Sequence, residues 1–375
     1  MQVHEITDAL KIVIDPNTGV DIIKARMVSN IEVDGNNVTF ILNVGDLEAK
    51  LKGELNLLCN DAITDIFPDA LVNVHMVNER NLESHNDGKG TGFSGLEDVS
   101  KSPLPHVKNF IAVASGKGGV GKSTVAVNLA LGLSQMGYKV GILDADIYGP
   151  SIPTMLGLKG KKPGVKKIYG KDKLLPLEAM GVHAMSIGFF IEPEQAVVLR
   201  GPKLDGIMRQ FIQDVIWPDL DFMVIDLPPG TGDVQLSLVQ LLPLTGAVMV
   251  ITPQDVAVDD ALKAMNMFGL PGVDVPILGV IENMSWFTPA ELPDNKYYIF
   301  GQGGGQRLVD ESGSSLLGQI PIIQSIREGG DNGKPAVNDP ENPSRPFYLD
   351  IAANVNRETN LRNEVIDPTR IVERK

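Results

Sequence analysis

Cysteine is almost absent from this 375-residue sequence, which contains only Cys59. A single cysteine excludes a disulfide within the chain. It also excludes a zinc or iron–sulfur site built from several thiolates of one copy. Cys59 lies in the apolar stretch LNLLCNDAI on a predicted helix. A small buried hydrophobic residue and a cluster ligand shared with a second copy are both open interpretations of this position.

The sequence also lacks an excess of basic residues and long apolar runs. Its 33 Lys and Arg stand against 47 Asp and Glu, so the formal net charge is −14. That balance disfavours broad contact with nucleic acid or with anionic lipid. No apolar run reaches the roughly 20 residues of a membrane-spanning helix, and the N-terminus has no basic segment before an apolar one. We therefore predict a cytoplasmic protein without nucleic-acid or membrane partners.

Composition shifts along the chain predict four segments. Residues 1–78 carry the pattern α-β-β-α-β, with a turn signal around Asp34-Gly35, and are predicted to form a small α+β domain. Residues 79–107 are rich in Asn, Ser, Gly, Asp and Pro, and predict a flexible linker. Residues 108–347 are predicted to form a larger domain. Residues 348–375 are polar and predict a charged surface helix or tail.

The larger segment alternates apolar strands with amphipathic helices. FIAVAS, KVGILDAD, DFMVID, GAVMVIT and ILGVIEN are short β-branched runs without period-2 alternation, as expected for strands buried on both faces. Helical patterns lie between some of these runs. The fold class is therefore predicted to be α/β, a doubly wound parallel sheet preceded by the small α+β domain.

A glycine-rich loop follows the first of these strands. Gly116-Lys117-Gly118-Gly119-Val120-Gly121-Lys122-Ser123, followed by Thr124, fits the P-loop pattern G-x-x-x-x-G-K-[ST] and opens a predicted helix. Glycines let successive N–H groups turn inward around phosphate oxygens. The pattern predicts that Lys122 binds the β- and γ-phosphates of ATP and that the Ser123 hydroxyl binds Mg²⁺. The alternative is a fortuitous glycine-rich turn.

A second lysine lies at the start of the loop. Lys117 in KGGVGKST resembles the deviant Walker A motif of the partitioning, arsenite-pump and nitrogenase-iron-protein class of ATPases. The resemblance implies that Lys117 reaches the nucleotide of a facing subunit, and so implies a homodimer. A second cation there would offset the charge of the transition state. A solvated lysine at the loop edge is the alternative.

Acidic residues follow two other predicted strands. Asp226 in DLPPGTGD ends a strand and is predicted to hold Mg²⁺ through water, and Gly230 is predicted to turn an amide towards the γ-phosphate. Asp144 and Asp146 lie in ILDADIYGPS at another strand end. Matching to the ATPase class gives the water-orienting role to Asp146. Capping of the following turn is the alternative for either aspartate.

The ordered motifs GKGGVGKST, DADIYGPSIPTMLG, DLPPGTGD, TPQDVAVDDALKAMNMF and IENMSWF closely resemble the Mrp/ApbC family of ATPases, from about Leu104 to Phe347. The resemblance implies a slow, Mg²⁺-dependent ATPase that carries or assembles iron–sulfur clusters, with scaffold or apo-protein clients. It also implies that Asn283 bonds the adenine edge. Residues 1–78 resemble the small domain of cytosolic Fe–S assembly factors.

The sequence departs from this family at the expected cluster ligands. Family members carry a C-x-x-C pair soon after E-N-M-S, where this chain has Pro289 and Leu292. A bound Fe–S cluster is therefore an open question. The nearby aromatic residues predict either packing beside the dimer contact or a partner-binding loop. A partitioning-type ATPase that acts through protein partners without a cluster is the alternative function, and a small-molecule kinase or ligase is a third.

Overall fold

A computed structural model describes residues 2–16, 18–25, 27–35, 37–44, 49–68, 70–77, 104, 106–168, 171–191, 201–270, 273–289 and 291–365. Most of the predicted linker 79–107 and the end of the chain, 366–375, lie outside the described residues. The chain divides into two compact units. One comprises Met1–His106 with Val165–Leu174 and Gln213–Pro218, and the other comprises the remainder.

The first unit contains the predicted α-β-β-α-β order. Its elements are α1 (Val3–Leu10), β1 (Val28–Asp34), β2 (Asn37–Asn43), α2 (Ala49–Thr64) and β3 (Leu71–Val77). β1 and β2 form an antiparallel hairpin, and β3 pairs with β2 in parallel. Buried apolar side chains from both helices and from β2 form one core, including Ile6, Leu10, Phe40, Leu42, Leu55 and Ile63. Burial of this apolar face is the main stabilising contribution.

The second unit is built on an eight-stranded sheet, which confirms the predicted doubly wound α/β class. The strand order is β13-β12-β11-β4-β10-β5-β9-β8, and only β8 pairs antiparallel to its neighbour. The strands are β4 (Val107–Ala114), β5 (Val140–Asp144), β8 (Leu177–Ala179), β9 (Val182–Ser186), β10 (Leu220–Asp226), β11 (Gly246–Ile251), β12 (Ile277–Phe287) and β13 (Leu316–Ile322). A separate two-stranded sheet consists of β6 (Gly164–Ile168) and β7 (Lys171–Leu175), and most of it belongs to the first unit.

Helices connect the strands of this sheet. They are α3 (Lys122–Gln135), α4 (Ile152–Met155), α5 (Gly201–Gln213), α6 (Asp233–Val239), α7 (Asp255–Phe268), α8 (Gly304–Ser312), α9 (Gln324–Asp331) and α10 (Arg345–Val365). Strands β5 and β11 are buried along their whole length because helices cover the sheet. The carboxyl ends of β4, β5 and β10 therefore meet at one edge, where open α/β sheets bind ligands.

Helix α10 covers most of the segment for which a charged surface helix or tail is predicted, residues 348–375. The helix begins at Arg345, so the predicted boundary falls inside it. One face is buried and carries Tyr348, Ile351, Ala352 and Val355. A Cβ added to Gly132 of α3 would lie 2.8 Å from the Ala352 Cβ, so the two helices approach closely at this point. The stripe of apolar residues at helical spacing packs α10 onto the sheet unit.

Among the described residues, no helix has the length and apolar character needed to cross a membrane.

Candidate nucleotide-binding site

The glycine-rich loop joins β4 to α3 at the carboxyl edge of the sheet. Gly119 and Gly121 have φ values of +83° and +87°, in the left-handed region that favours glycine. A Cβ on Gly121 would lie 2.2 Å from Asn283 Nδ2, and a Cβ on Gly116 would lie 2.2 Å from the carbonyl carbon of Asp260. Close approach of other chain segments therefore requires glycine at both positions. The loop ends at the N-terminus of α3, where backbone N–H groups attract anions.

Lys122, the first residue of α3, brings the predicted catalytic groups together. Its side chain is only 6% exposed, and its Nζ lies 2.6 Å from Asp226 Oδ1. The same Nζ lies 3.4 Å from Asp146 Oδ2 and 3.4 Å from Ser123 Oγ. Three segments that are distant in sequence thus converge on one ammonium group.

Asp226 is fully buried at the end of β10. Burial raises the pKa of this carboxyl, although the neighbouring Lys122 opposes that shift. Its second oxygen, Oδ2, is buried and has no hydrogen-bond partner among the described residues. A carboxylate oxygen with free lone pairs and the hydroxyl of Ser123 are the oxygen donors that Mg²⁺ prefers. The residues at this site therefore fit a magnesium ion.

Asp144 lies behind the site, and Asp146 faces it. Strand register pairs Asp144 with Asp226 on one side and with Ser186 on the other. Asp144 accepts hydrogen bonds from Ser186 Oγ at 2.9 Å and from the Asp146 N–H at 3.2 Å. Burial, and secondly the charge of Asp226, raise the pKa of Asp144 well above its usual value. Asp144 therefore orders the turn, while the Asp146 side chain, 16% exposed, projects towards Lys122.

Lys117 and Gly230 lie beside the site but make other contacts. The Lys117 Nζ donates to Gln254 Oε1 at 3.0 Å, so it does not join the Lys122 cluster in this conformation. Gly230 has a φ of +97°, and its N–H donates to the Ser115 carbonyl at 3.0 Å. The Gly230 N–H, which is predicted to face the γ-phosphate, therefore bonds Ser115, the residue just before the loop. Both groups would have to exchange these partners to contact a phosphate.

A cavity of about 510 Å³ adjoins the loop at Gly121 and Thr124. The predicted Asn283 lines it, is 6% exposed, and donates from Nδ2 to the Val120 carbonyl at 2.8 Å. This bond leaves the Asn283 amide oxygen as the acceptor that a ligand could use. The apolar part of the cavity lining was not predicted from the sequence; it includes Met155, Pro321, Ile322, Ile323 and Ile326. The feature of the sequence that could have indicated them is the carboxyl end of β13, which lies at the same edge of the sheet as the loop.

The described residues contain no cluster of three or more His, Cys, Asp or Glu that could hold a metal ion by itself. Pro289 is half-buried and Leu292 is exposed beyond the end of β12. Cys59 belongs to the other unit, where it is fully buried in the core. Burial raises the pKa of its thiol to about 12, which disfavours the thiolate that binds iron. Cys59 is therefore a core residue in this structure.

Comparison with known families gives two matches along the chain. The family model described as NUBPL iron-transfer P-loop NTPase matches residues 106–356. The family model described as iron-sulfur cluster assembly protein matches residues 4–75. Together they cover both units of the described chain.

Individual relatives agree with these matches. An "iron-sulfur cluster carrier protein" of Synechocystis sp. is 41% identical over 93% of this chain and 96% of its own length. The "iron-sulfur cluster transfer protein NUBPL" of Dictyostelium discoideum is 42% identical over 76% of this chain and 88% of its own. A nucleotide-binding protein of Archaeoglobus fulgidus, solved with ADP, is 35% identical with a TM-score of 0.57, covering 68% of this chain and 96% of that one.

Proposed function

The chain belongs to the NUBPL-type family of iron-transfer P-loop NTPases, and from this premise we propose that it is an ATP-hydrolysing switch that acts in iron–sulfur cluster transfer. The observation that carries the proposal is the Lys122–Asp226 pair at 2.6 Å beside the glycine loop. The short distance supports a joint role for the lysine predicted to bind phosphate and the carboxylate predicted to bind magnesium. The ADP complex of the A. fulgidus relative supports a nucleotide at this site.

Binding of ATP would exchange the partners of Lys122. Phosphate oxygens would take Asp226's place on the ammonium group, and the loop amides from Gly116 to Thr124 would bind the remaining oxygens. The Asp226 carboxylate and the Ser123 hydroxyl would then be available to Mg²⁺. That ion, when bound, neutralises charge on the β- and γ-phosphate oxygens. Without ATP, the opposite charges of Lys122 and Asp226 thus balance each other in the buried site. ATP phosphate would then replace Asp226 as the partner of Lys122.

Asp146 is the group proposed to orient the attacking water. Its carboxylate is partly exposed, while Asp144 fixes the turn that carries it. A carboxylate in this position can accept a hydrogen bond from water and direct its lone pair at the γ-phosphorus. Asn283 would accept a hydrogen bond from the exocyclic amine of adenine, because its Nδ2 is already bonded to Val120.

Lys117 is proposed to act across a homodimer. It would leave Gln254 and contact the nucleotide of the facing subunit, adding positive charge near the transferred phosphoryl group. Replacing Lys117 with Ala should lower the turnover number of ATP hydrolysis while ATP affinity stays within about twofold, because the loop amides and Lys122 remain. A matched loss of affinity and turnover would instead place Lys117 in its own subunit's site.

The iron–sulfur cluster is proposed to be a cargo that this chain does not hold by itself. Common clusters need four thiolates, and this chain has one cysteine, which is buried. We therefore propose that client proteins supply the thiolates and that the ATPase cycle drives the transfer step. Anaerobic reconstitution with iron and sulfide should leave wild type and Cys59→Ala equally unloaded. Stable loading of the wild type that the variant lacks would contradict this assignment.

The ATPase assignment is tested by phosphate release from Mg·ATP. Lys122→Ala should reduce hydrolysis by at least about 100-fold, because a positive charge at the developing phosphate charge is lost. Lys263→Ala is the matched control, since Lys263 is exposed on α7 and pairs with Asp260 at 3.1 Å. Unchanged hydrolysis in Lys122→Ala would refute the site. Co-sedimentation with DNA or anionic vesicles at physiological salt would favour the partitioning-type alternative.

A further inference from the structure

The two lysines of the glycine-rich loop are held by different kinds of acceptor. The Lys122 Nζ lies 2.6 Å from the carboxylate of Asp226, which carries the opposite charge. The Lys117 Nζ instead donates to Gln254 Oε1, a neutral amide oxygen, at 3.0 Å. An amide oxygen binds an ammonium group without cancelling its charge. Lys117 therefore keeps a positive charge that a phosphate can attract away from Gln254.

The backbone of Gln254 is held on both sides. Gln254 is the residue before α7, and its carbonyl accepts hydrogen bonds from the N–H groups of Ala257 and Val258 at 2.9 and 3.1 Å. On the other side, a Cβ added to Gly304 of α8 would lie 2.6 Å from the Pro253 carbonyl oxygen. Such a close approach leaves this segment no room to move without moving both helices.

The backbone of Lys117 is fixed as well. The Ser115 hydroxyl donates to the Lys117 carbonyl at 3.0 Å. One residue earlier, a Cβ added to Gly116 would lie 2.2 Å from the carbonyl carbon of Asp260 in α7, so the start of the loop packs directly on that helix. Because both backbones are held, the bond between Lys117 and Gln254 can break only by rotation of the side chains.

The Gln254 side chain does not cap helix α7. It makes no hydrogen bond to the N–H groups of the first turn. Its Oε1 accepts instead from the Lys117 ammonium and from the Thr252 hydroxyl, which lies 3.2 Å away. Thr252 is buried, so this second bond orients the amide with its oxygen towards the loop. The contacts of the Gln254 side chain thus serve the position of Lys117.

We infer that Gln254 is a positioning residue that restrains Lys117 and competes with phosphate for it, a conclusion that rests on the proposed role of Lys117 in hydrolysis. While the bond holds, the Lys117 ammonium stays beside α7 and apart from the Lys122 cluster. The oxygen atoms of ATP are negatively charged, so they attract an ammonium group more strongly than a neutral amide does. Release of Lys117 therefore requires a nucleotide that receives it.

Two substitutions of similar length should change this competition in opposite directions. Gln254→Met removes the acceptor, so it should raise the turnover number of Mg·ATP hydrolysis by at least about twofold. Gln254→Glu replaces the amide with a carboxylate that holds Lys117 as an ion pair, and should lower the turnover number by about tenfold. The KM for ATP should stay within about twofold in both variants, because the loop amides and Lys122 remain. A side chain with only a packing role would not produce opposite changes.

The same substitutions in a Lys117→Ala background test whether the effect depends on that lysine. Without Lys117, Gln254→Met and Gln254→Glu should each leave the turnover number within about 1.5-fold of Lys117→Ala alone. Gln302→Glu in the wild-type background is the matched control for the added charge, since Gln302 is exposed just before α8. This control should hydrolyse Mg·ATP like wild type.

The reactivity of the Lys117 amine gives a measurement that needs no nucleotide. Nucleotide-free proteins are labelled with limiting acetic anhydride, and peptide mass spectrometry compares Lys117 with the exposed Lys263 as an internal reference. Lys117 should react at least about threefold faster in Gln254→Met than in wild type, because its amine is no longer held by the amide oxygen. In Gln254→Glu it should react more slowly than in wild type.

Three results would overturn the inference. They are changes of turnover in the same direction for Gln254→Met and Gln254→Glu, equal effects with and without Lys117, and unchanged labelling of Lys117 in Gln254→Met. Failure of the proposed function gives a different pattern. A Lys117→Ala protein that hydrolyses ATP like wild type would overturn the proposed role of Lys117, while the labelling would still report its bond to Gln254.

Discussion

Replacing Lys122 with Met removes one charge of a buried ion pair and nearly preserves side-chain length. In wild type the Lys122 Nζ and Asp226 Oδ1 are 2.6 Å apart, and the two side chains are 6% and 0% exposed. At an effective dielectric constant of about 20, unit charges at that distance attract by about 6 kcal/mol. Desolvation of both groups opposes most of this attraction, so the pair itself contributes little net stability.

Breaking the pair from one side is costly for a different reason. Lys122→Met leaves Asp226 buried without a cation, and such substitutions cost about 3–5 kcal/mol in the free energy of unfolding. Lys122→Met/Asp226→Asn removes both charges and should return to within about 1 kcal/mol of wild type. The double-mutant cycle should therefore give a coupling energy of at least about 2 kcal/mol.

The decrease in the free energy of unfolding caused by Lys122→Met should depend on pH, and its direction can be derived. Burial already raises the pKa of Asp226, and removing Lys122 removes the charge that opposes this shift. The folded variant therefore binds a proton that the unfolded chain releases near pH 4, so its stability falls as pH rises through this window. The destabilisation caused by Lys122→Met should be smaller at pH 5 than at pH 8.

Urea unfolding of the nucleotide-free proteins at both pH values measures these quantities. Equal losses at pH 5 and pH 8, or additive effects of the two substitutions, would refute the buried-pair argument. Mg·ATP binding should be lost in Lys122→Met and should not return in the double variant. Stability and phosphate binding would then be separated as two roles of one lysine.

Three further predictions concern the loop, the cavity and the cysteine. Gly121→Ala should lower the melting temperature by several degrees and abolish ATP binding, because φ is +87° and the new Cβ meets Asn283. The control for backbone strain alone is Gly137→Ala, where φ is +94° and nothing lies within 4 Å of the new Cβ. Asn283→Asp should weaken ATP binding by about tenfold in calorimetry, because a carboxylate would face the Val120 carbonyl; unchanged affinity would exclude Asn283 from the site. Cys59 of the folded protein should resist Ellman's reagent at pH 8, and rapid labelling would contradict its burial. The free energy of unfolding should fall above pH 9, because the pKa of the thiol is about 9 in the unfolded chain and about 12 in the folded one.

Local sequence was sufficient for the features that short contiguous segments encode. The P-loop could be predicted because Gly116–Thr124 carries its glycines, lysine and hydroxyl in one run, between an apolar strand and a helix. The five central strands could be predicted because burial on both faces selects unbroken β-branched runs. The antiparallel pairing of β1 and β2 could be predicted because Asp34-Gly35 is a residue pair that favours a tight turn between two strands.

The tertiary structure decided what depends on contacts between distant segments. Strand register, which the sequence does not reveal, sets Asp144 beside Asp226 and turns Asp146 towards Lys122. The same kind of long-range contact binds Lys117 to Gln254, buries one face of α10 and buries Cys59. The residues that line the cavity beside Asn283 come from five separate segments. Local sequence therefore determined the chemistry that could be present, and long-range packing determined which groups meet and which remain exposed.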